Sequence, residues 1–410
     1  MISLFSTCLI MAVTVMSVHG VTVLTNNETL IAEEILNSLG PRSIRPVLNS
    51  STVVKVAMSF VLTQIIELND ILQELKVAGW FTLDWTDERI SWNASDYGVD
   101  CVLIPVDEIW KPDIILDNNV DEEYNQFLPD APVKVCSDGR ATYTAYSIFQ
   151  SSCNINIQLF PYDYQSCKLR FSSWIHDESE IDIQPLLRFL DQEDQFKDNG
   201  VWTLQHVDAT SIVENYKPSN KPFVYAVFSI HLLRRHEFYL LFILIPYFFC
   251  SVLICLMFFV PFDSGEKLSY GITAVLGMIV FQEIIASALP PVGNHSSVVG
   301  KYFTSVICIG IVSVFVEIVA YNIYMQGNLY KACVYVLRYY EIKRKPGPNN
   351  NYQMGNIGES ETEQDSKERE EEAAEHTKKL QAYCTFFDLC FGLMCLLMIF
   401  ALMLWFVIKI

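Results

Sequence analysis

Four apolar segments, near residues 238–260, 267–289, 302–324 and 385–408, are each long enough to cross a bilayer. They constrain the chain more than any other feature. In hydrocarbon every backbone N–H and C=O needs an internal partner, so segments of this length are read as helices. The residues ahead of them differ in kind. From about Val53 to Arg234 short alternating runs, such as Val54-Lys55-Val56-Ala57-Met58-Ser59-Phe60, are separated by Gly, Asn, Asp and Pro clusters. Many short strands without a long helical period point to a two-sheet sandwich. Before them, Leu30, Ile31, Ile35 and Leu39 recur at helical spacing. The expected fold is a β-sandwich domain followed by a four-helix transmembrane bundle.

Flanking composition orients these parts. Residues 1–20 carry an apolar run from Leu9 to Val18 and a small residue, Gly20, and read as an export signal. That places residues 21–236 outside the cell, in keeping with sequons at Asn27, Asn49 and Asn93 as glycosylation candidates. The first three spans occupy 237–324. A polar stretch over 325–383 opens with Lys331, Arg338, Lys343, Arg344 and Lys345, a basic cluster expected on the cytoplasmic side. Its Glu-rich run from Glu359 to Lys379 is expected to lead as helix into the last span, 384–410. The topology is multi-pass in the plasma membrane, with both termini extracellular.

The second span has an unusual face. Glu266, Ser269, Thr273, Leu276, Val280, Glu283 and Ser287 recur at helical spacing from Asp263-Ser264-Gly265 to Pro290-Pro291. The stripe is acidic at its start, hydroxylated above, apolar in the middle and polar again. A lipid-facing helix gains nothing from such a stripe, whereas several copies could turn it towards shared water. It is read as a pore wall over about 266–289. Glu266 would raise local cation concentration, Ser269 and Thr273 would replace hydration, and Leu276 and Val280 would form an apolar constriction. Glu283 would add a second acidic ring roughly 25 Å along the helix at 1.5 Å per residue, with Ser287 beyond it. Glu317, in the third span, is a further intramembrane acid for which a structural pair, a helix contact and proton sensing all stay open.

A net charge of -19 argues against nucleic acid as a partner. No Ser/His/Asp set, phosphate loop or zinc-spaced Cys/His motif appears, and the seven histidines are scattered without ligand-like pairs. No enzyme, cofactor or metal is therefore expected. The spans show no internal repeat of the transporter kind. Of twelve cysteines, Cys101, Cys136, Cys153 and Cys167 fall in the exported half, where four permit three pairings.

Cys153 and Cys167 bracket Phe160-Pro161-Tyr162-Asp163, with the four spans downstream. In this the chain resembles the pentameric Cys-loop receptors. Trp85-Thr86-Asp87, Trp92-Asn93, Ile109-Trp110-Lys111-Pro112-Asp113, Asp263-Ser264-Gly265-Glu266-Lys267 and Gly300-Lys301-Tyr302 carry the likeness along most of the chain. Glu266 makes it most similar to the cation-conducting branch of nicotinic and serotonin type 3 receptors. The resemblance implies five identical or related subunits, a Cys153–Cys167 disulfide, permeant monovalent cations, contact with membrane lipid, and a small-molecule agonist between subunits. If that pairing holds, Cys101 and Cys136 have each other, as a second disulfide or as two free thiols.

The resemblance also implies where an agonist sits. Trp174, Tyr216 and Phe223 match the principal-face aromatics and Trp80 the complementary-face tryptophan, a cage that holds a cationic amine by cation–π attraction. Asp117 stands where principal nicotinic subunits carry Tyr, and the vicinal cysteine pair of those subunits is absent. Asp117 could add charge for an amine, while Lys217 and Lys221 on the capping loop would discourage one, so the agonist class stays open. An accessory subunit without its own working site is the alternative. At the membrane junction Phe160, Pro161 and Asp163 would meet the helices, and Asp70 would pair with Arg234 ahead of the first span. Ser297 stands where cation-branch relatives often have Pro.

Overall fold

The computed structural model describes residues 26–122, 128–187, 196–197, 199–217, 220–291, 297–344 and 358–409. The export signal expected at 1–20 lies outside the described residues. Helix α1 (Asn27–Ser38) leads into ten strands. These are β1 (Val54–Asn69), β2 (Glu74–Thr86), β3 (Cys101–Ile104), β4 (Ile114–Leu116), β5 (Val133–Cys136), β6 (Arg140–Ser152), β7 (Tyr164–Ser173), β8 (Ile181–Leu186), β9 (Trp202–Tyr216) and β10 (Lys221–Arg234). They form one sheet of order β3-β5-β6-β2-β1-β8 and another of order β4-β7-β10-β9. β1 and β8 pair in parallel, and the other named pairs are antiparallel.

Alternation along the strands explains the layers. In β1, Val54, Val56, Met58 and Phe60 are buried while Lys55 is exposed, as period-two side chains on a half-buried sheet must be. Five phenylalanines close the space between the sheets. Phe60, Phe81 and Phe149 come from the first sheet, and Phe171 and Phe228 from the second. Neighbouring rings sit 5.4–6.1 Å apart. Burying each contributes roughly 1.5–3 kcal/mol. The family-like motif residues join this core: Trp85 packs edge-on against Trp110 at 6.0 Å, and fully buried Asp87 is held by Arg89 at 2.9 and 2.7 Å.

Two disulfides staple the domain. Cys153, just past β6, is bonded to Cys167 on β7 and so joins the two sheets. Cys101 on β3 is bonded to Cys136, directly opposite on β5.

Four helices long and apolar enough to span a membrane follow: α2 (Glu237–Phe259), α3 (Lys267–Ala288), α4 (Val298–Gln326 within a helix that continues to Arg344) and α5 (Thr377–Lys409 within a helix that starts at Gly358). The last two are longer than their apolar windows, and the Glu-rich run enters the final span as unbroken helix. In α2 the residues Leu240–Leu244 take a π-helical turn ahead of Pro246. Proline supplies no N–H, so the ladder is rearranged where it enters the helix. Ser297 caps α4: its Oγ accepts from Gly300 N–H at 3.0 Å.

Candidate functional site

The second span presents its stripe outward. Glu266, Ser269, Thr273, Leu276, Val280, Glu283 and Ser287 are all exposed in the single chain, while Lys267, Gly271, Val275, Met278 and Ile285 are buried against the other helices. The turn into the helix needs Gly265, whose φ of 70° favours glycine. Glu266 occupies the N-cap position but its side chain makes no capping hydrogen bond, so its carboxylate is not committed to the helix end. The hydroxyls of Thr273 and Ser287 donate back to the carbonyls of Ser269 and Ile284 at 2.8 and 2.9 Å. That leaves their oxygen lone pairs facing outward as acceptors.

Behind Glu266 lies a charged cluster that long-range folding alone assembles. Lys267, 2% exposed, pairs with Glu317 of α4 at 3.0 Å, donates a short hydrogen bond to Asp388 of α5, and lies over the Phe262 ring at 3.8 Å. Glu317 is thus paired, and its partner Lys267 belongs to a neighbouring helix. An acid at membrane depth signals a buried partner, but nothing local in the sequence says which residue supplies it.

In the outer domain the cage residues divide between the two sheets. Trp174 follows β7 and is 63% exposed; Tyr216 and Phe223 lie on β9 and β10 with ring centroids 6.2 Å apart. Asp113 positions the Trp174 turn: it accepts from Ser173 Oγ at 2.6 Å and Ile175 N–H at 2.8 Å, and its carbonyl accepts from Trp174 N–H at 3.1 Å. Trp80 belongs to the other sheet, on β2, where it packs edge-on against Tyr146 at 5.2 Å.

Two charges behave differently from the sequence reading. Asp117 does not offer a free carboxylate, because Arg170 Nε lies 3.3 Å from it and the same guanidinium pairs with Glu214 at 3.0 Å. Burial lowers the Arg170 pKa, but the Glu214 hydrogen bonds and the charges of Glu214 and Asp117 outweigh it and hold the group above its ordinary value. The guanidinium also lies 4.6 Å from the Tyr225 ring. Lys221 is paired too: Nζ donates to Asp177 at 2.8 Å, and Glu178 N–H donates to Pro222 O at 2.9 Å. The capping hairpin is thus tied to the segment after Trp174. Arg170, Glu214, Tyr225 and Tyr146 were missed in the sequence, where their strand positions resemble ordinary surface residues.

The junction with the helices is built around Arg234, which is 2% exposed. Its guanidinium donates to Asp163 at 2.7 and 3.0 Å and to Asp70 at 2.8 and 2.9 Å. It also lies 4.2 Å from the Trp202 ring. Burial alone would lower its pKa, but the bonds to both acids raise it overall. Asp163 was placed at the junction from the sequence without a partner; it is a second carboxylate on the same guanidinium. Phe160 packs on Tyr239 at 4.8 Å, the tilted rings of Tyr162 and His236 lie 4.3 Å apart, and Pro161 is buried between Phe160 and Tyr162 in the chain.

Two further placements complete the set. Asn27, Asn49 and Asn93 are exposed, but Asn27 Nδ2 donates to Tyr97 O at 2.7 Å and Asn93 Oδ1 accepts from Ser95 N–H at 3.2 Å. The reading that no histidines pair is corrected by the structure: β9 and β10 register His206 directly opposite His231, with Asp208 beside them. Strand register, not sequence spacing, creates that group.

Residues 28–236 match the profile described as neurotransmitter-gated ion-channel ligand binding domain, and residues 243–385 that of the neurotransmitter-gated ion-channel transmembrane region. The chain is 31% identical over 302 residues to ligand-gated ion channel 4 of Caenorhabditis elegans, covering 73% of this chain and 47% of that protein. It is 29% identical over 286 residues to neuronal acetylcholine receptor subunit beta-3 of Rattus norvegicus (70% and 61%). To neuronal acetylcholine receptor subunit alpha-9 of Homo sapiens it is 32% identical over 300 residues (72% and 62%). The chain thus spans about half to three-fifths of the length of these relatives. With a two-sheet sandwich, a bonded Cys153–Cys167 pair and four apolar helices in the matching order, it belongs to the neurotransmitter-gated ion-channel family.

Proposed function

We propose that this chain is a subunit of a pentameric, cation-selective, ligand-gated channel whose pore is lined by α3. The observation that carries this reading is the outward stripe on α3, exposed at every position from Glu266 to Ser287 while the opposite face packs inward. Five copies around an axis would make Glu266 an acidic ring at the inner mouth, and Leu276 and Val280 a constriction that stops ions by losing its water. Glu283 would form the outer acidic ring. The placement of exposed Trp174 and Trp80 on different sheets supports an agonist site completed by a neighbouring subunit. In this reading residues 21–236 are extracellular and the segment between α4 and α5 is cytoplasmic.

The agonist class follows less directly. Exposed Trp174 and Tyr216 can receive a cationic amine, but the Asp117 carboxylate is engaged by Arg170, which also pairs with Glu214. That ion-pair cluster favours, as a second reading, an accessory subunit that assembles with relatives and has no working amine site of its own.

A gating-independent experiment tests the pore. Leu276→Ser puts a hydroxyl ring in the apolar constriction and should produce a standing current without agonist when the chain is expressed alone. Its reversal potential should follow the sodium and potassium gradients. A reversal that follows chloride would overturn the selectivity assignment. Surface pentamers that pass no standing current would overturn the pore assignment, and surface delivery only with a co-expressed relative would favour the accessory reading.

A further inference from the structure

On the outer sheet, His206 of β9 lies directly opposite His231 of β10, and the register breaks one residue further on, between His231 and Leu232. Residues two apart on a strand share a face, so Asp208 stands beside His206 on the side that His231 also presents. Asp208 Oδ2 is 3.4 Å from His206 Nε2 and 3.1 Å from His231 Nε2. The three ligand atoms all lie within 4.8 Å of one another. The two imidazoles stack with centroids 4.3 Å apart, and Tyr164 of β7 stacks behind His231 at 5.6 Å, bracing the inner ring. His231 is half-buried, whereas His206 and Asp208 are open to solvent.

Two imidazole nitrogens and one carboxylate oxygen suit a borderline-soft divalent ion that accepts four-coordinate geometry, and they are poorly matched to calcium or magnesium, which take oxygen ligands. We propose that His206, Asp208 and His231 form a site for a zinc-class transition-metal ion, with water completing its coordination. The site spans β9 and β10 between the hairpin tip bearing Tyr216 and Phe223 and the buried Arg234 at the base. An ion there clips the two strands together near the base of that hairpin, three residues before Arg234. Metal binding itself does not rest on the channel reading.

The test uses the full chain purified in detergent, stripped with chelator and titrated with Zn2+ against a chromophoric competitor. One ion per subunit is expected at this site. His206→Gln and Asp208→Asn should each weaken it at least as much as loss of an outer-shell partner does, roughly 10–100-fold. His176→Gln, at a histidine paired with Glu180 elsewhere, should leave binding unchanged, and equimolar Ca2+ should not displace the ion. His206 is exposed, so its replacement spares the fold. Zinc held equally well by His206→Gln and the unmodified chain, or no stoichiometric zinc in the unmodified chain, would overturn the proposal.

Discussion

Replacing Arg234 by alanine removes one cation from between two carboxylates. The guanidinium makes four charged hydrogen bonds of 2.7–3.0 Å, two to each acid. Asp163 is 1% and Asp70 13% exposed at the side chain, so neither can recover full hydration. Removing one partner of a buried pair costs about 3–5 kcal/mol, most of it from stranding the remaining charge. For a domain of this size each kcal/mol moves Tm by roughly 2–4 °C, so the sandwich of Arg234→Ala should melt roughly 6–20 °C lower. The assay is thermal unfolding of the detergent-solubilised chain, read alongside surface delivery. Because the damage is stranded charge, adding Asp70→Asn and Asp163→Asn to Arg234→Ala should restore a large part of the loss. Arg234→Lys keeps the charge but cannot fork to two carboxylates, and should fall between. Arg234→Ala melting within a degree of the unmodified chain would refute the reasoning. A triple variant no better than the single one would refute its electrostatic part.

Three further outcomes follow from the same geometry. Lys267→Met leaves Glu317 and Asp388 facing each other without a cation, and should cost about 3–5 kcal/mol and abolish surface pentamers. Glu317→Gln with Asp388→Asn on that background should recover assembly, measured by surface labelling and native gel. Removing the Cys101–Cys136 disulfide by double alanine substitution opens a loop with a sequence separation of 35. It should lower stability by roughly 3–4 kcal/mol on the chain-entropy account, as seen in melting with and without reductant. If Glu283 forms the proposed outer acidic ring, Glu283→Gln on a Leu276→Ser background should lower single-channel cation conductance; unchanged unitary current would place Glu283 away from the conduction path.

How far the molecule was legible in its sequence depended on the range of each interaction. The stripe on α3 was visible because it obeys one local period, and the sandwich because its strands alternate over a few residues. Arg234 with Asp70 was reached only through resemblance. The Lys267–Asp388 contact closes over 121 residues, and no local pattern links a lysine at the start of one span to an acid in another. His206 and His231 meet because two strands adopt one register, which a shift of a single residue would abolish. The state of Asp117 was misread for a similar reason. Its charge looks available in the sequence, but Arg170 enters from a neighbouring strand and takes it.

Two of these long-range contacts, Arg234 with Asp70 and His206 with His231, converge on β10. Its tip end carries Phe223 in the candidate agonist site, its lower part carries His231, and its last residue is Arg234. Between Lys221 and Arg234 the strand is paired with β9 along almost its whole length and with β7 from Tyr225 to Leu233, so it cannot slide without breaking a ladder on each side. At its base, Arg234 grips Asp163, and the same loop reaches α4, where Val298 N–H donates to Gln158 O at 3.0 Å. Phe160 and Tyr162 in that loop pack on Tyr239 and His236 at the entry to α2. One short segment therefore touches β10 and two membrane helices. The Gln158–Asp163 segment is thus a direct contact between the base of β10 and both α2 and α4. The Asp163–Arg234 contact is where stiffness should matter most, because it lies within that segment and holds buried charge that no water can replace.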